Sequence, residues 1–339
     1  MPSIVSPRPI LVTGASGFVG ACLCRRYGAA GQKVVAVQGT TGRNWRLVDA
    51  GPNVEVVRAD LTSPDEVRAL LRDVGPEVVV NCAVYGAYPD QTDVARIYRV
   101  NFDAVRALLD AAVERTGLRC FIQASSSSEY GFNSAGPRED APTSPDSDYA
   151  VAKVAATAYV QYLGKKKKVP AWVLRLYSVY GPYEDASRLV PTLLAHAKRG
   201  TWPKLVDPTI SRDFVYADDV CAAFAKVIER AGEIEPGEVF NVGSGQKSTI
   251  GEVVAQVKRL LDVAEEPAWG SMPDRRWDRR DWFSNPKKAE EILGWRAGTS
   301  LADGLAKTAQ WMDKNPALVS VAGAQSVVQP VPATGGQSG

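Results

Sequence analysis

Short apolar runs alternate with longer amphipathic stretches through the first half of the chain. Apolar, β-branched runs predict strands at residues 9–12, 34–37, 54–57, 77–80, 120–124 and 171–176. Helical spacing of apolar positions predicts helices between them, at residues 21–30, 63–73, 98–115 and 149–163. Strands separated by helices imply right-handed crossovers, so the pattern predicts an α/β fold built on a doubly wound parallel sheet.

Two helix ends carry local signals. Ser63 is expected to cap the second helix, because a serine followed by Pro64 is a common start. Gly164, which precedes four consecutive lysines, is expected to end the helix that starts near Tyr149. The lysines themselves are expected to be solvated.

The alternation stops after about residue 182. Segments rich in Pro, Trp and Arg follow, mixed with helical stretches at 216–231 and 250–262. We expect a smaller mixed α/β substrate lobe at the C-terminal side. The predicted division assigns residues 8–182 and 214–246 to the sheet domain, and 183–213 and 247–315 to the lobe. The uncharged residues 318–339 are expected to form a disordered tail.

Charge and hydropathy narrow the range of partners. The 339 residues contain 40 Lys and Arg against 38 Asp and Glu, a net charge of +2. This near balance favours neither nucleic acid nor an anionic membrane surface as a partner. No apolar run is long enough to cross a bilayer, and the N-terminal residues lack the apolar stretch of a signal peptide. We therefore expect a cytoplasmic protein.

Histidine and cysteine usage narrows the chemistry. His196 is the single histidine, which rules out a two-histidine zinc site, and its helical surroundings favour a surface or packing role. None of the five cysteines forms a C-x-x-C pair, so buried, reduced thiols and no metal site are expected. The cysteines are Cys22, Cys24, Cys82, Cys120 and Cys221.

A glycine-rich turn follows the first predicted strand. Residues 13–20 read TGASGFVG, with Gly14, Gly17 and Gly20 at three-residue spacing. In such a turn the glycines permit a tight bend, close approach of a pyrophosphate and close packing of helix on strand, while the helix N-terminus attracts phosphate. The motif predicts a Rossmann-type dinucleotide site.

The second predicted strand ends without the acid that usually binds the adenosine ribose. Gln38, Thr41 and Arg43 lie there instead, with Arg46 close behind. These side chains can donate to a ribose 2′-phosphate, which a carboxylate would repel. NADP(H) is therefore favoured, and NAD stays possible.

Tyr149 and Lys153 are four residues apart, on one face of a predicted helix. A nearby ammonium favours the phenolate and lowers the pKa of a tyrosine, which gives a proton donor and acceptor without histidine. The Y-x-x-x-K spacing is common by chance, so it needs support from other motifs.

That support comes from a resemblance over residues 8–312 to the extended short-chain dehydrogenase/reductase family, which contains nucleotide-sugar epimerases, 4,6-dehydratases and 4-ketoreductases. The matching motifs, in chain order, are residues 13–20, Asp60-Leu61, residues 81–83, Asn101, SSSSEYG at 125–131, Tyr149 with Lys153, RLYSVYGP at 175–182, RDFV at 212–215, FNVGSG at 240–245 and LGW at 293–295.

The resemblance implies roles for particular residues. Ser126 would hydrogen-bond the reacting sugar oxygen, Tyr149 would pass the proton, and Lys153 would hold the nicotinamide ribose. Cofactor contacts are expected from Gly14, Ser16, Gly17, Phe18, Val19, Gln38, Thr41, Arg43, Asp60, Leu61, Cys82, Ala83, Val84, Asn101, Tyr149, Lys153, Tyr177 and Val179. Substrate contacts are expected from Tyr85, Ser127, Ser128, Ser178, Arg188, Arg212 and Arg275 or Arg276.

Two departures from the family pattern bear on the reaction. The 4,6-dehydratases carry an acid directly after the catalytic hydroxyl residue, whereas Ser127 and Ser128 stand here and the acid comes one place later, as Glu129. A dehydratase is therefore disfavoured. Ser178 replaces the usual asparagine.

The favoured hypothesis is an NADPH-dependent 4-ketoreductase of a nucleotide-linked 4-keto-6-deoxyhexose. The alternative is a nucleotide-sugar 4-epimerase with tightly bound NAD. A non-catalytic nucleotide sensor usually lacks the tyrosine and lysine, both of which are present. The resemblance also implies a homodimer, formed through helices 98–115 and 149–163.

Overall fold

The computed structural model describes residues 8–40, 44–115, 117–272 and 279–318. At its centre lies a parallel sheet of seven strands, in the order β3, β2, β1, β4, β5, β6, β10. The strands in chain order are β1 (Ile10–Thr13), β2 (Val34–Gln38), β3 (Val54–Arg58), β4 (Val78–Asn81), β5 (Cys120–Ser126), β6 (Ala171–Leu176), β7 (Ser178–Tyr180), β8 (Ser211–Arg212), β9 (Phe214–Tyr216), β10 (Val239–Val242) and β11 (Ser248–Thr249).

Helices cover both faces of the sheet. They are α1 (Phe18–Ala29), α2 (Pro64–Val74), α3 (Val94–Tyr98), α4 (Ala104–Val113), α5 (Asp148–Lys167), α6 (Leu189–Ala197), α7 (Ala217–Glu229), α8 (Ile250–Leu261) and α9 (Leu301–Lys314). Helices α1 and α7 pack on one face, and α2, α4 and α5 on the other. The doubly wound α/β fold is confirmed.

The strand order reverses between β1 and β4, which are neighbours in the sheet. Chains leaving these two strands diverge toward opposite faces, so a crevice opens at their carboxyl ends. The glycine turn follows β1 directly and therefore borders this crevice. A π-helical segment, Arg99–Asp103, joins α3 to α4, a feature that the apolar spacing did not predict.

Helix α2 begins as predicted, whereas the end predicted for α5 is wrong. The Ser63 hydroxyl accepts from the Glu66 amide, and Pro64 occupies the first helical position. Helix α5 continues through Gly164 and ends at Lys167, with Lys168 left-handed behind it. A Cβ on Gly164 would lie 2.2 Å from the Gly237 nitrogen. This glycine permits close packing rather than a helix stop.

A second apolar cluster lies beyond the sheet, among α6, α8 and α9, with Leu194, Val257 and Leu305 fully or nearly fully buried. Strands β8 and β11 pair antiparallel, and β7 and β9 pair parallel. The division into two domains at the boundaries given above stays a prediction. Most of the predicted tail, residues 319–339, lies outside the described residues. Among the described helices, none has the length and apolar character to span a membrane.

Candidate active site

The glycine turn is shaped by close backbone packing. Gly14 has a φ of +62°, and a Cβ on it would lie 2.4 Å from the carbonyl oxygen of Cys82. A Cβ on Gly20 would lie 2.5 Å from the Gly14 oxygen. An added Cβ on Gly17 would meet just Gly14 O within 4 Å, at 3.1 Å. The first glycine thus lets the turn lie against the loop after β4, the third lets α1 pack against the turn, and the second leaves an open face at the N-terminus of α1.

A row of buried polar side chains crosses the carboxyl ends of three strands. The Thr13 hydroxyl donates to Asn81 Oδ1, and Asn81 Nδ2 donates to Gln123 Oε1 at 2.7 Å. Asn81 Oδ1 also accepts from the Ala83 amide at 3.2 Å, which fixes the loop of Cys82 to Val84 beside the turn. Sequence reasoning missed Gln123. Its signal was a polar residue within an otherwise apolar strand.

Asn101 shapes the next part of that loop. Its side chain is fully buried, accepts from the Tyr85 amide at 3.2 Å and donates to the Tyr85 carbonyl at 2.6 Å. It therefore holds Tyr85, whose ring lies under the Arg96 guanidinium. Among the described residues, Asn101 supports the crevice through backbone contacts.

Ser126, Tyr149 and Lys153 come together where β5 meets α5. The Ser126 hydroxyl lies near the Tyr149 phenol, whose pKa it lowers. Ser126 Oγ also accepts from the Ser128 amide at 3.1 Å, so it caps the short 3-10 turn that follows β5. Lys153 is 2% exposed and donates from Nζ to the Ala124 carbonyl at 2.7 Å. The trio predicted from sequence is thus assembled in space.

Burial dominates the electrostatics of this trio. Burial raises the pKa of Tyr149, against the opposing effects of the Ser126 hydroxyl and the Arg188 charge. Burial also lowers the pKa of Lys153 to about 8, while the Glu129 carboxylate acts in the opposite direction. Both groups are therefore held closer to their neutral forms than in water.

Glu129 is committed to a structural network. Its carboxylate is fully buried and accepts from the hydroxyls of Ser125 and Thr157 through Oε1. Through Oε2 it accepts from two nitrogens of Arg175, each at 2.9 Å. All of its acceptor positions face protein donors, so Glu129 does not replace the acid that a dehydratase carries at the reacting bond.

Gln38, Asp60 and Leu61, which are predicted to lie on the adenosine side of the crevice, belong to the described residues. Gln38 is buried, and its Oε1 has no hydrogen-bond partner among the described residues. Asp60 Oδ1 accepts from the amide and hydroxyl of Thr62, which holds the pKa of this carboxyl below its usual value. Leu61 follows it, half-buried. Thr41 and Arg43 lie outside the described residues.

Arg46 contacts the backbone of the glycine turn. Its guanidinium donates to the carbonyls of Tyr183 at 2.7 Å and Ser16 at 3.1 Å, and it lies against Trp45. It therefore braces the glycine turn from behind. Phe18 and Val19 form the first turn of α1, next to the open face at Gly17.

Tyr177 lies between β6 and β7, and Val179 is the middle residue of β7. Tyr177 packs with Tyr130 and Trp282, and its hydroxyl is buried without a partner among the described residues. Val179 packs, half-buried, against the main core. Neither arrangement by itself identifies a cofactor contact.

A dinucleotide fits these residues. The turn offers backbone amides beside the open face at Gly17, and Gln38 offers an unsatisfied buried acceptor at the end of β2. Lys153 offers a buried ammonium at the opposite end of the crevice. These are the places where pyrophosphate, adenosine ribose and nicotinamide ribose would be held.

Ser127 and Ser128, which are predicted to contact the substrate, lie in the 3-10 turn that follows β5. Ser127 Oγ accepts from Trp282 Nε1 at 3.0 Å, and Ser128 Oγ lies 2.9 Å from Ser126 Oγ. The Ser178 amide donates to the Asp213 carbonyl at 2.9 Å, so its backbone is fixed beside the residue that joins β8 to β9.

Two arginines approach the same loops. Arg188 donates to the Ala87 carbonyl at 2.9 Å and stacks on Tyr88, whereas Arg212 lies over the Trp282 ring at 5.3 Å. Trp282, which joins Arg212 to Ser127, was not predicted, because its neighbours are distant in sequence. Arg275 and Arg276 lie outside the described residues.

No set of three His, Cys, Asp or Glu side chains suited to a metal ion occurs within the described ranges. His196 lies on α6, where its Nδ1 is 3.2 Å from the Thr201 hydroxyl.

A parallel sheet with a glycine turn at its switch point, and a serine, tyrosine and lysine at the adjoining strand end, define the class of nicotinamide-dependent enzymes. The model of the NAD dependent epimerase/dehydratase family matches residues 10–243. The chain belongs to this family, whose members are enzymes acting on nucleotide sugars.

Among its relatives is a UDP-glucose 4-epimerase of Mycolicibacterium smegmatis, 31% identical over 89% of this chain and 97% of that protein. A UDP-glucose 4-epimerase of Thermotoga maritima, solved with UDP-glucose, has a TM-score of 0.81 at 27% identity over 91% of this chain and 99% of the other. MoeE5, solved with UDP-glucuronic acid and NAD, has a TM-score of 0.78 at 29% identity, with the same coverage. The chain also matches 48% of a trifunctional Arabidopsis thaliana dehydratase, epimerase and reductase at 26% identity, so it spans about half of that protein.

Proposed function

We propose that this protein is an NAD-dependent epimerase that inverts C4 of a UDP-linked hexose. The observation that carries the proposal is the assembly of Ser126, Tyr149 and Lys153 beside a dinucleotide-compatible turn. The identity to a mycobacterial UDP-glucose 4-epimerase and the two likenesses to UDP-sugar complexes support the same reaction.

The side chains divide the work at C4. Ser126 hydrogen-bonds the C4 oxygen and orients it toward Tyr149. Tyr149 accepts the proton of the C4 hydroxyl and returns it to the same oxygen when the alcohol re-forms. The Lys153 ammonium stabilises the phenolate through its charge. When bound, the nicotinamide supplies the hydride acceptor and donor that this chemistry needs.

The contacts of Glu129 support epimerisation over dehydration. Elimination of water across C5 and C6 needs an acid and a base near that bond. Positions 127 and 128 are serines, and Glu129 is bound by Ser125, Thr157 and Arg175. Within the described turn of residues 127–129, no carboxylate is free to drive elimination, which favours return of the proton to a 4-keto sugar formed here.

Gln38 supports NAD as the cofactor. Its buried Oε1 is an acceptor without a partner among the described residues, which suits the hydroxyl of an adenosine ribose. The same residue also motivates the second candidate function, NADPH-dependent 4-ketoreduction, because an amide does not repel a 2′-phosphate as a carboxylate would.

One assay separates the two functions. Purified protein is offered UDP-glucose or UDP-galactose with NAD, and nucleotide-linked 4-keto-6-deoxyhexoses with NADPH, while absorbance at 340 nm and sugar configuration are followed. Interconversion of the C4 epimers without net change in absorbance is expected. Stoichiometric NADPH oxidation with no epimer exchange would replace the epimerase by the reductase.

We also propose a homodimer formed through α4 and α5. Val151 and Tyr162 are 40% and 50% exposed and lie three turns apart on one face of α5, and Val113 at the end of α4 is 41% exposed. Tyr162→Glu should shift the sedimentation coefficient to that of a monomer, whereas Leu260→Glu on α8 should leave it unchanged. A parent chain that sediments as a monomer would contradict the proposal.

A further inference from the structure

Glu129 and Arg175 form a buried ion pair next to β5, the strand that ends at Ser126. Glu129 is fully buried and the side chain of Arg175 is 4% exposed. Arg175 Nε and Nη2 both donate to Glu129 Oε2 at 2.9 Å, and Arg175 Nη1 donates to the Tyr130 hydroxyl at 2.7 Å. The pair is therefore well bound and shielded from water, so its charges act strongly on nearby groups.

The carboxylate joins the two elements that carry the proposed chemistry. It accepts from Ser125, which precedes Ser126 on β5, and from Thr157 at 2.7 Å, one helical turn beyond Lys153 on α5. Lys153 in turn donates to the carbonyl of Ala124, the residue before Ser125. Glu129 thus lies at the crossing of β5 and α5.

We propose that Glu129, held by Arg175, is a positioning residue that sets the charge environment of Tyr149 and Lys153. The inference rests on the proposed function, since those two residues are assigned there. Family resemblance supplies no role for this carboxylate, and the epimerase reaction as derived above does not use it.

The charged groups around the ion pair determine in which direction the pKa values of Tyr149 and Lys153 shift. The Glu129 charge raises the pKa of both Tyr149 and Lys153, as a nearby negative charge must. Besides Glu129, Arg188 before α6 acts on Tyr149, and Cys82 after β4 acts on Lys153. Tyr130 in the turn after β5 and Glu139 in the following loop face the ion pair itself. Burial raises the pKa of the Cys82 thiol to about 12, so it is neutral.

Glu129→Gln removes the charge and keeps the shape. The amide oxygen can face Arg175 while its nitrogen donates to the hydroxyls of Ser125 and Thr157, which reverse their roles. Loss of the carboxylate, with the Arg175 cation left in place, should lower the pKa of Lys153 and of Tyr149 by about one unit. In Glu129→Gln/Arg175→Met the cation is absent too, so part of this shift should be recovered.

Two measurements test the inference. The first is the pH midpoint of the stability difference between each protein and its Lys153→Met derivative, by urea unfolding without cofactor or substrate. The second is the acid limb of kcat/KM for C4 interconversion. Both midpoints should fall by about one unit in Glu129→Gln and by less in the double variant. Thr157→Val, which removes one hydrogen bond and no charge, should leave both unchanged.

A merely structural role would lower stability or rate in Glu129→Gln without moving either midpoint, and that result overturns the inference. Equal shifts in Thr157→Val would overturn it as well. If no nucleotide sugar is turned over but the unfolding midpoint shifts as expected, the proposed function fails while the electrostatic role of Glu129 stands.

Discussion

Two buried cations on neighbouring elements, Arg175 on β6 and Lys153 on α5, differ in their hydrogen-bond partners and in the direction of their pKa shifts. Arg175 donates to the Glu129 carboxylate, the Tyr130 hydroxyl and the Glu139 carbonyl. Lys153 donates to a single described acceptor, the Ala124 carbonyl. Burial disfavours the charge of Arg175, yet Glu129 raises its pKa above the ordinary value, whereas burial lowers the pKa of Lys153 to about 8.

The difference separates a structural ion from a reactive one. A cation whose donors all face bound acceptors is fixed in place and in charge. A cation held by one neutral carbonyl stays near its titration point and keeps donors for a ligand. The Glu129 carboxylate therefore pairs with Arg175 next to β5. Under the proposed function, Lys153 keeps donors for Tyr149 and the cofactor.

The largest expected effect is that of replacing Tyr149, the proposed proton acceptor. Tyr149→Phe removes the proton acceptor, so kcat should fall by about a thousandfold while NAD affinity is kept. Steady-state kinetics and cofactor titration by fluorescence measure the two quantities. Normal turnover in this variant would refute the catalytic assignment and leave Lys153 without a partner to tune.

Loss of the buried ion pair between Arg175 and Glu129 should lower the stability of the fold strongly. Arg175→Met leaves the Glu129 carboxylate buried without its ion partner, so the free energy of unfolding should fall by about 3–5 kcal/mol. Urea unfolding measures it. The matched control Arg138→Met breaks an exposed pair with Asp140 and should change stability by less than about 1 kcal/mol. Similar losses in the two variants would remove the contrast between a buried and an exposed ion pair.

The titration of Lys153 should change the free energy of unfolding with pH. The pKa of Lys153 is about 8 folded and about 10.5 unfolded, so between these values the unfolded chain binds more protons and stability rises with pH. Relative to Lys153→Met, the parent should gain about 2 kcal/mol between about pH 7 and pH 9.5. Parallel pH profiles of unfolding free energy for the two proteins would show that Lys153 is not desolvated.

The smallest expected effect tests the helix that carries the reactive ion. The Ser147 hydroxyl caps α5 by accepting from the Ala150 amide at 3.3 Å. Ser147→Ala should lower stability by about 1 kcal/mol and also lower kcat, because Tyr149 lies in the first turn. Ser63→Ala, which removes the equivalent cap of α2, should cost about as much stability with kcat unchanged. Equal kcat losses would mean that the effect is global.

Local patterns predicted most of the sheet. The strands at 54–57 and 171–176 and the cap of α2 agree with β3, β6 and Ser63 within a residue, because alternation and capping depend on near neighbours. The end of α5 could not be predicted in this way. Gly164 reads as a stop, and it is required instead by Gly237, 73 positions away in the chain.

The same division runs through the candidate site. The sequence by itself determined the doubly wound sheet, the glycine turn and the presence of Tyr149 and Lys153 on one helix, since each is a short-range pattern with one dominant folded outcome. Tertiary structure decided the rest: that Arg46 braces the turn, that Trp282 joins Arg212 to Ser127, and that Glu129 is bound by Arg175. These contacts join segments far apart in the chain, and their energies depend on burial that no local pattern specifies.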